Sequence, residues 1–122
     1  MNAERKDILK EKSFHFAIRV ANLCLFLSNE KKEFVLSKQL LRSGTAIGAL
    51  VRESKNAESK ADFIHKLGIA QKECDETIYW LELLAGIKLL NKTEFDSISA
   101  DAIALLKIIR SSIITAKKNL YS

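Results

Sequence analysis

The sequence predicts an all-α fold, an antiparallel up-and-down four-helix bundle of left-handed twist. Apolar residues recur at alternating intervals of three and four, and no stretch shows sustained alternation of apolar and polar residues. The chain contains no proline and only four glycines, which excludes a turn-rich β-sandwich or barrel. With 122 residues the chain has room for one core, so we treat residues 1–122 as a single domain.

Four amphipathic segments are separated by short polar stretches. We place helices at residues 5–28, 34–55, 59–89 and 93–119. Ser59 stands three residues before Asp62, and Thr93 stands three residues before Asp96, a spacing typical of helix N-termini. Because the connections are short, consecutive helices are expected to be antiparallel neighbours.

Each helix carries a stripe of apolar or small residues with alternating steps of three and four, which is typical of a seam buried in a bundle. The predicted core consists of Phe14, Ile18, Ala21 and Leu25; Leu36, Leu40, Ser43, Ile47 and Leu50; Phe63, Leu67, Ala70, Cys74, Thr77, Leu81 and Leu84; and Ile98, Ala102, Leu105, Ile109, Ser112 and Ala116. Gly44 and Gly48 either allow a close helix approach or are simply tolerated small residues.

Apolar surface remains once these seams are assigned. On the first helix Phe16, Val20 and Leu27 lie beside the predicted seam, so the apolar arc is wider than a bundle helix needs. The third helix carries a second stripe, which we predict to form a subunit contact anchored by Trp80. That predicted interface comprises Ile69, Glu73, Glu76, Trp80, Leu83 and Ile87. Uneven packing within one bundle is the alternative interpretation.

The chain is moderately basic, with 20 Lys and Arg against 15 Asp and Glu and a net charge of +5. The excess lies in its N-terminal half. Basic residues form rows on three predicted helices, and such rows can track a phosphate backbone. The predicted nucleic-acid contacts are Arg5, Lys12 and Arg19; Lys38 and Arg42; and Lys107, Arg110, Lys117 and Lys118. Ordinary solvation of helix surfaces is the competing interpretation.

The residues predict no catalytic site, no metal and no cofactor. The two histidines, His15 and His65, do not supply the paired ligand motifs of a metal site in a bundle core. Cys24 and Cys74 lie in apolar helical patterns and are expected to be reduced, buried thiols. No segment is long and apolar enough to span a membrane, so we expect a cytoplasmic protein without a membrane partner.

Residues 41–85 carry a more specific pattern of small, acidic and aromatic positions. Its members are Ser43, Gly44, Ile47, Gly48, Ala49 and Glu53; Ser59, Asp62 and Phe63; and Lys72, Glu73, Glu76, Thr77, Trp80 and Leu81. This segment resembles the small bacterial four-helix-bundle proteins encoded within intervening sequences of 23S ribosomal RNA genes. The resemblance implies a homopentamer. It also implies kinship with the accessory variability protein of diversity-generating retroelements, a basic pentamer that binds nucleic acid and a reverse transcriptase.

Two hypotheses of function follow. The first is a non-enzymatic homo-oligomeric bundle, pentameric by resemblance, that binds RNA or DNA non-specifically through a basic surface. The alternative is an oligomeric scaffold that recruits a protein partner through its apolar or acidic faces. A continuous basic surface favours the first hypothesis, whereas basic residues paired with acids favour the second.

Overall fold

The computed structural model describes residues 7–121, which fold into four helices. These are α1 (Ile8–Glu30), α2 (Val35–Lys55), α3 (Lys60–Gly86) and α4 (Lys92–Tyr121). No strand occurs in this range. The predicted all-α fold class is therefore confirmed, and each predicted helix boundary lies within three residues of the observed one.

Each helix packs against two neighbours, in the cyclic order α1, α2, α3, α4. Contacts between α1 and α2 join Cys24 to Ser37 at one end and Asp7 to Lys55 at the other, so these two helices run in opposite directions. The α3–α4 pair shows the same reversal, because Cys74 contacts Ala102 whereas Lys60 contacts Asn119. The α1–α4 pair is the most sparsely packed of the four.

The helix starts have local causes in the sequence. The side chains of Asp7 and Ser59 accept hydrogen bonds from the backbone N–H groups of Lys10 and Asp62, each at 3.0 Å, which caps α1 and α3. At α4, Asn91 Oδ1 accepts from the N–H of Glu94 at 2.8 Å, and the Glu94 carboxylate accepts from the N–H of Asn91. This reciprocal pair forms a capping box, so α4 begins before the predicted Thr93.

The predicted core is confirmed along α3, whose seam from Leu67 to Leu84 is buried. It is also confirmed at Leu40, Ser43 and Ile47 of α2 and at Ile98, Ala102, Leu105 and Ile109 of α4. It is wrong for α1. There Phe14, Ile18 and Leu25 are 51%, 44% and 60% exposed, and Ala21 is only half-buried. The neighbouring stripe is buried instead, and it consists of Leu9, Ser13, Phe16, Val20, Cys24 and Leu27.

The small residues of α2 explain which stripe of α1 is buried. A Cβ atom built on Gly44 would lie 2.7 Å from Cγ1 of Val20, and one built on Gly48 would lie 3.4 Å from the carbonyl oxygen of Ser13. The backbone of α2 therefore approaches α1 closely along Ser13 and Val20, so of the two interpretations of Gly44 the close helix approach is the one observed. Spacing alone could not distinguish the two stripes of α1, because both follow the same period.

Both cysteines are buried and unpaired. Burial, with a smaller contribution from Glu33, raises the pKa of the Cys24 thiol to about 11. Burial, with a smaller contribution from Asp75, raises the pKa of the Cys74 thiol to about 12. The thiols donate to the carbonyl oxygens of Ser37 and Ala102, which fits a packing role.

Candidate nucleic-acid and subunit interfaces

The bundle divides the predicted basic residues between its two halves. One half contains the start of α1 and the end of α4, and there lie Lys12, Lys107, Arg110, Lys117 and Lys118. The other half contains Arg19, Lys38 and Arg42. The ninth predicted residue, Arg5, lies outside the described residues. The prediction thus combines residues that the fold separates.

Two of the predicted phosphate ligands are engaged within the chain. Arg19 Nη1 lies 2.8 Å from Asp101 Oδ2, and Arg19 Nη2 donates to the hydroxyl of Ser97 at 3.0 Å, which ties α1 to α4. Arg42 of α2 contacts the carboxylates of Glu73 and Glu76 on α3. A phosphate would have to compete with these carboxylates, so Arg19 and Arg42 are weaker candidates than the sequence indicates.

The four basic residues predicted on α4 are the largest predicted group without a carboxylate partner in the described range. We call them the α4 row, and they are Lys107, Arg110, Lys117 and Lys118. Its four residues are exposed, and none forms an ion pair with another residue between 7 and 121. The contacts of Cys74 with Ala102 and of Lys60 with Asn119 place the start of α3 beside the end of α4. Lys60, an exposed lysine of α3, therefore shares the level of the α4 row.

We call this surface the α3–α4 basic face, and it comprises Lys60, Lys107, Arg110, Lys117 and Lys118. Lys60 was not among the predicted residues, because each predicted row lies within a single helix. The signal that indicates Lys60 is the antiparallel α3–α4 hairpin, which brings residues far apart in sequence to the same level.

Three residues of the predicted subunit interface on α3, Glu73, Glu76 and Trp80, make side-chain contacts within the chain. Trp80 is half-buried against the core, and its indole N–H donates to Glu76 Oε2 at 3.0 Å. Hydrogen bonds from Trp80 and then from Arg42 hold the pKa of the Glu76 carboxyl below its usual value. Glu73 also contacts Arg42, so both glutamates join α3 to α2.

A row of outward residues remains on α3 at steps of four. Tyr79 and Ile87 are 56% and 48% exposed, and Leu83 between them is half-buried. We call this surface the α3 acidic apolar face, and it comprises Asp75, Tyr79, Glu82, Leu83 and Ile87. Of the remaining predicted interface residues, Ile69 is half-buried one turn before Glu73.

A second apolar surface covers the outside of α1 and the adjoining side of α2. We call it the α1–α2 apolar face, and it comprises Phe14, Ile18, Leu25 and Leu41, each at least 40% exposed. Its rim is basic: the Arg52 guanidinium lies 5.1 Å from the centroid of the Phe14 ring, and Lys38 precedes Leu41 by one turn. Its α1 residues are those that the sequence placed in the core.

Residues 7–121 contain no cluster of three or more His, Cys, Asp or Glu side chains suited to a metal ion. Both His15 and His65 are exposed. Over the same range, no helix combines the length and apolarity required to cross a bilayer.

These features define a small helical-bundle protein, and its described residues form the basic face and the two apolar faces named above. The sequence matches the family model of the 23S rRNA-intervening sequence protein over residues 5–111, so the chain belongs to that family. A crystal structure of a protein of unknown function from the S23 ribosomal protein family of Bacteroides thetaiotaomicron VPI-5482 is similar, with 52% identity and a TM-score of 0.85. The match covers 86% of this chain and 97% of that one. No curated protein gives a significant match.

Proposed function

We propose that this protein is a non-enzymatic homo-oligomer that binds RNA or DNA through phosphate groups at the α3–α4 basic face. The observation that carries the proposal is the concentration there of exposed Lys and Arg side chains with no ion pair in the described range. Each phosphate that such a side chain neutralises releases condensed counterions, which drives binding and makes the affinity salt-dependent.

The row on α4 has a suitable length for contacting several phosphates. Lys107 and Lys118 are separated by three turns of helix, or roughly 16 Å at 1.5 Å per residue. Phosphates on one strand of a duplex advance roughly 3.4 Å each along the axis. Because the contacts are to phosphates rather than to base edges, we expect little sequence preference.

Assembly is supported by the two apolar faces. The α1–α2 apolar face has a basic rim with Arg52, whereas the α3 acidic apolar face carries Asp75 and Glu82. Because α1 and α3 lie at opposite corners of the bundle, one copy can present both faces to two different neighbours. Contacts between unlike faces generate rings when the rotation closes. The family resemblance implies five copies, and a ring would gather the basic faces of all its subunits.

The nucleic-acid proposal is tested by fluorescence anisotropy of labelled structured RNA and duplex DNA, titrated with the protein at about 50 mM and about 200 mM salt. We expect submicromolar binding at low salt that weakens steeply at high salt for both ligands. Absence of binding at low salt would overturn the proposal. It would favour the second candidate, a scaffold whose exposed α1–α2 apolar face recruits a protein partner.

The assembly proposal is tested by mixing two variants, each damaged on a different face. Ile18→Asp disables the α1–α2 apolar face, and Tyr79→Asp disables the α3 acidic apolar face. Each variant alone should be a monomer by light scattering, and an equimolar mixture should give a dimer, because one undamaged pair of faces remains. Two variants that both retain the wild-type mass, or a mixture that stays monomeric, would contradict pairing of these faces.

A further inference from the structure

A cavity opens between α1 and α4, on a side of the bundle that neither the basic face nor the apolar faces use. Its volume is about 460 Å³, within the range typical of small-molecule sites. It exists because α1 and α4 pack more sparsely than the other neighbouring helices. The side chain of Ala104 lines the cavity, and its small size leaves space that a larger residue would fill.

The floor of this cavity belongs to the hydrophobic core. Phe16 and Leu105 line it, and each is only 1% exposed. Ile8 forms an apolar edge and is 57% exposed. A ligand with an apolar body would therefore rest on core side chains and cover Ile8, which removes apolar surface of both partners from water.

The charged residues that line the cavity are Lys12, Glu11 and Asp101. Asp101 lines the cavity, but its carboxylate is paired with Arg19 at 2.8 Å. Lys12 also lines the cavity and forms no ion pair with any residue in the range 7–121. Since Lys12 precedes Phe16 by four residues, it lies on the same side of α1 as the floor.

The remaining polar lining residues lie further round α1. His15 and Glu11 contribute to the cavity wall, and Glu11 is about 100° from Lys12 on the helix, toward its outer surface. Around the axis of α1, Glu11 lies about 140° from Phe16 and Lys12 lies about 40° from it, so Lys12 is the charged residue of α1 on the side of the floor. The net charge of +5 on the whole chain adds a long-range preference for anions.

We propose that this cavity, the α1–α4 groove, binds an amphipathic organic anion. The apolar body of the ligand packs on Phe16 and Leu105, and its carboxylate or sulfonate lies against Lys12. The groove shares no lining residue with the α3–α4 basic face, so the two proposals can be tested separately.

The probe for this site is anilinonaphthalene sulfonate, an aromatic anion whose fluorescence rises in apolar surroundings. The variant Ala104→Phe fills the groove, and Ala100→Phe is its matched control, because Ala100 is an exposed alanine one turn earlier on α4 outside the groove. We expect Ala104→Phe to weaken dye binding about tenfold or more, because the added ring occupies the space of the apolar body of the ligand. Ala100→Phe should bind the dye as the wild type does.

The preference for an anion is tested with Lys12→Gln and a second, neutral dye, N-phenylnaphthylamine. We expect this variant to weaken binding of the sulfonate about two- to fivefold and to leave the neutral dye unaffected. Wild-type dye binding by Ala104→Phe would overturn the proposal and assign the dye to another apolar surface. Equal effects of Lys12→Gln on both dyes would overturn the proposed ligand class. Circular dichroism confirms that each variant is folded.

Discussion

The indole N–H of Trp80 donates a hydrogen bond to Glu76 Oε2 at 3.0 Å, and the same carboxylate contacts Arg42 of α2. Thr77 lies three residues before Trp80, and its hydroxyl donates to the hydroxyl of Ser43 at 2.9 Å, between the same two helices. The aromatic residue that the sequence assigned to a subunit contact is therefore also part of a polar network that joins α2 to α3 within one chain.

Replacing Trp80 by Phe keeps an apolar ring but removes the hydrogen bond to Glu76. We expect the free energy of unfolding to fall by about 1 kcal/mol, which is typical of one net hydrogen bond, as measured by urea denaturation. In a Glu76→Gln background the same substitution should cost less, because the charged acceptor is already lost. Equal costs in both backgrounds would show that the hydrogen bond does not contribute.

Replacing Gly44 by Ala tests the close approach of α1 and α2. The new methyl group would overlap Val20, so we expect a loss of about 1–3 kcal/mol in unfolding free energy. Gly48→Ala is the matched control in the same helix, because its nearest neighbour is at 3.4 Å, and it should cost much less. The double variant Val20→Ala/Gly44→Ala should lose less than the two single variants together. Strict additivity would contradict this explanation.

The end of α3 offers a stabilising substitution. Lys88 has φ of 69°, a left-handed conformation that glycine adopts without strain. Its N–H donates to the carbonyl of Ala85, and the N–H of Leu89 donates to that of Leu84, which together form a Schellman motif. Lys88→Gly should raise the unfolding free energy by about 1 kcal/mol. Lys88→Ala, which keeps the Cβ atom, should give no such gain in the same denaturation experiment.

The stability of the protein should depend on pH through Glu33. Burial opposes ionisation of this carboxyl, but hydrogen bonds from the backbone N–H groups of Leu36, Ser37 and Val35 outweigh burial and hold its pKa below the usual value of 4.5. A lowered pKa stabilises the fold above the unfolded-state pKa, and that contribution is lost as the pH falls through the folded-state pKa. The unfolding temperature should therefore fall less between neutral and acid pH for Glu33→Gln than for wild type. An identical fall in both proteins would contradict this role of Glu33.

The helices and the seam of α3 could be predicted from periodicity, because apolar spacing and capping residues are local properties of the sequence. The buried side of α1 could not, since two stripes have equal spacing and the glycines of a different helix decide between them. The ion pairs of Arg42 could not be predicted from local spacing either, because their carboxylates lie 31 and 34 residues further along the chain. Lys60 joins the basic face only through tertiary packing, so no single-helix pattern could identify it.

The central claim, that the α3–α4 basic face binds phosphates, is tested most directly by comparing two variants of equal charge. One replaces Lys107, Arg110, Lys117 and Lys118 by Gln, and the control replaces Lys31, Lys32, Lys88 and Lys92, which are exposed near the opposite end of the bundle. RNA affinity is measured by anisotropy as a function of salt for both variants and the wild type. The first variant should bind more weakly, with the slope of log affinity against log salt reduced by roughly three to four, whereas the control should retain nearly the wild-type slope. Equal losses in both variants would contradict a localised site and leave only the net charge as the cause of binding.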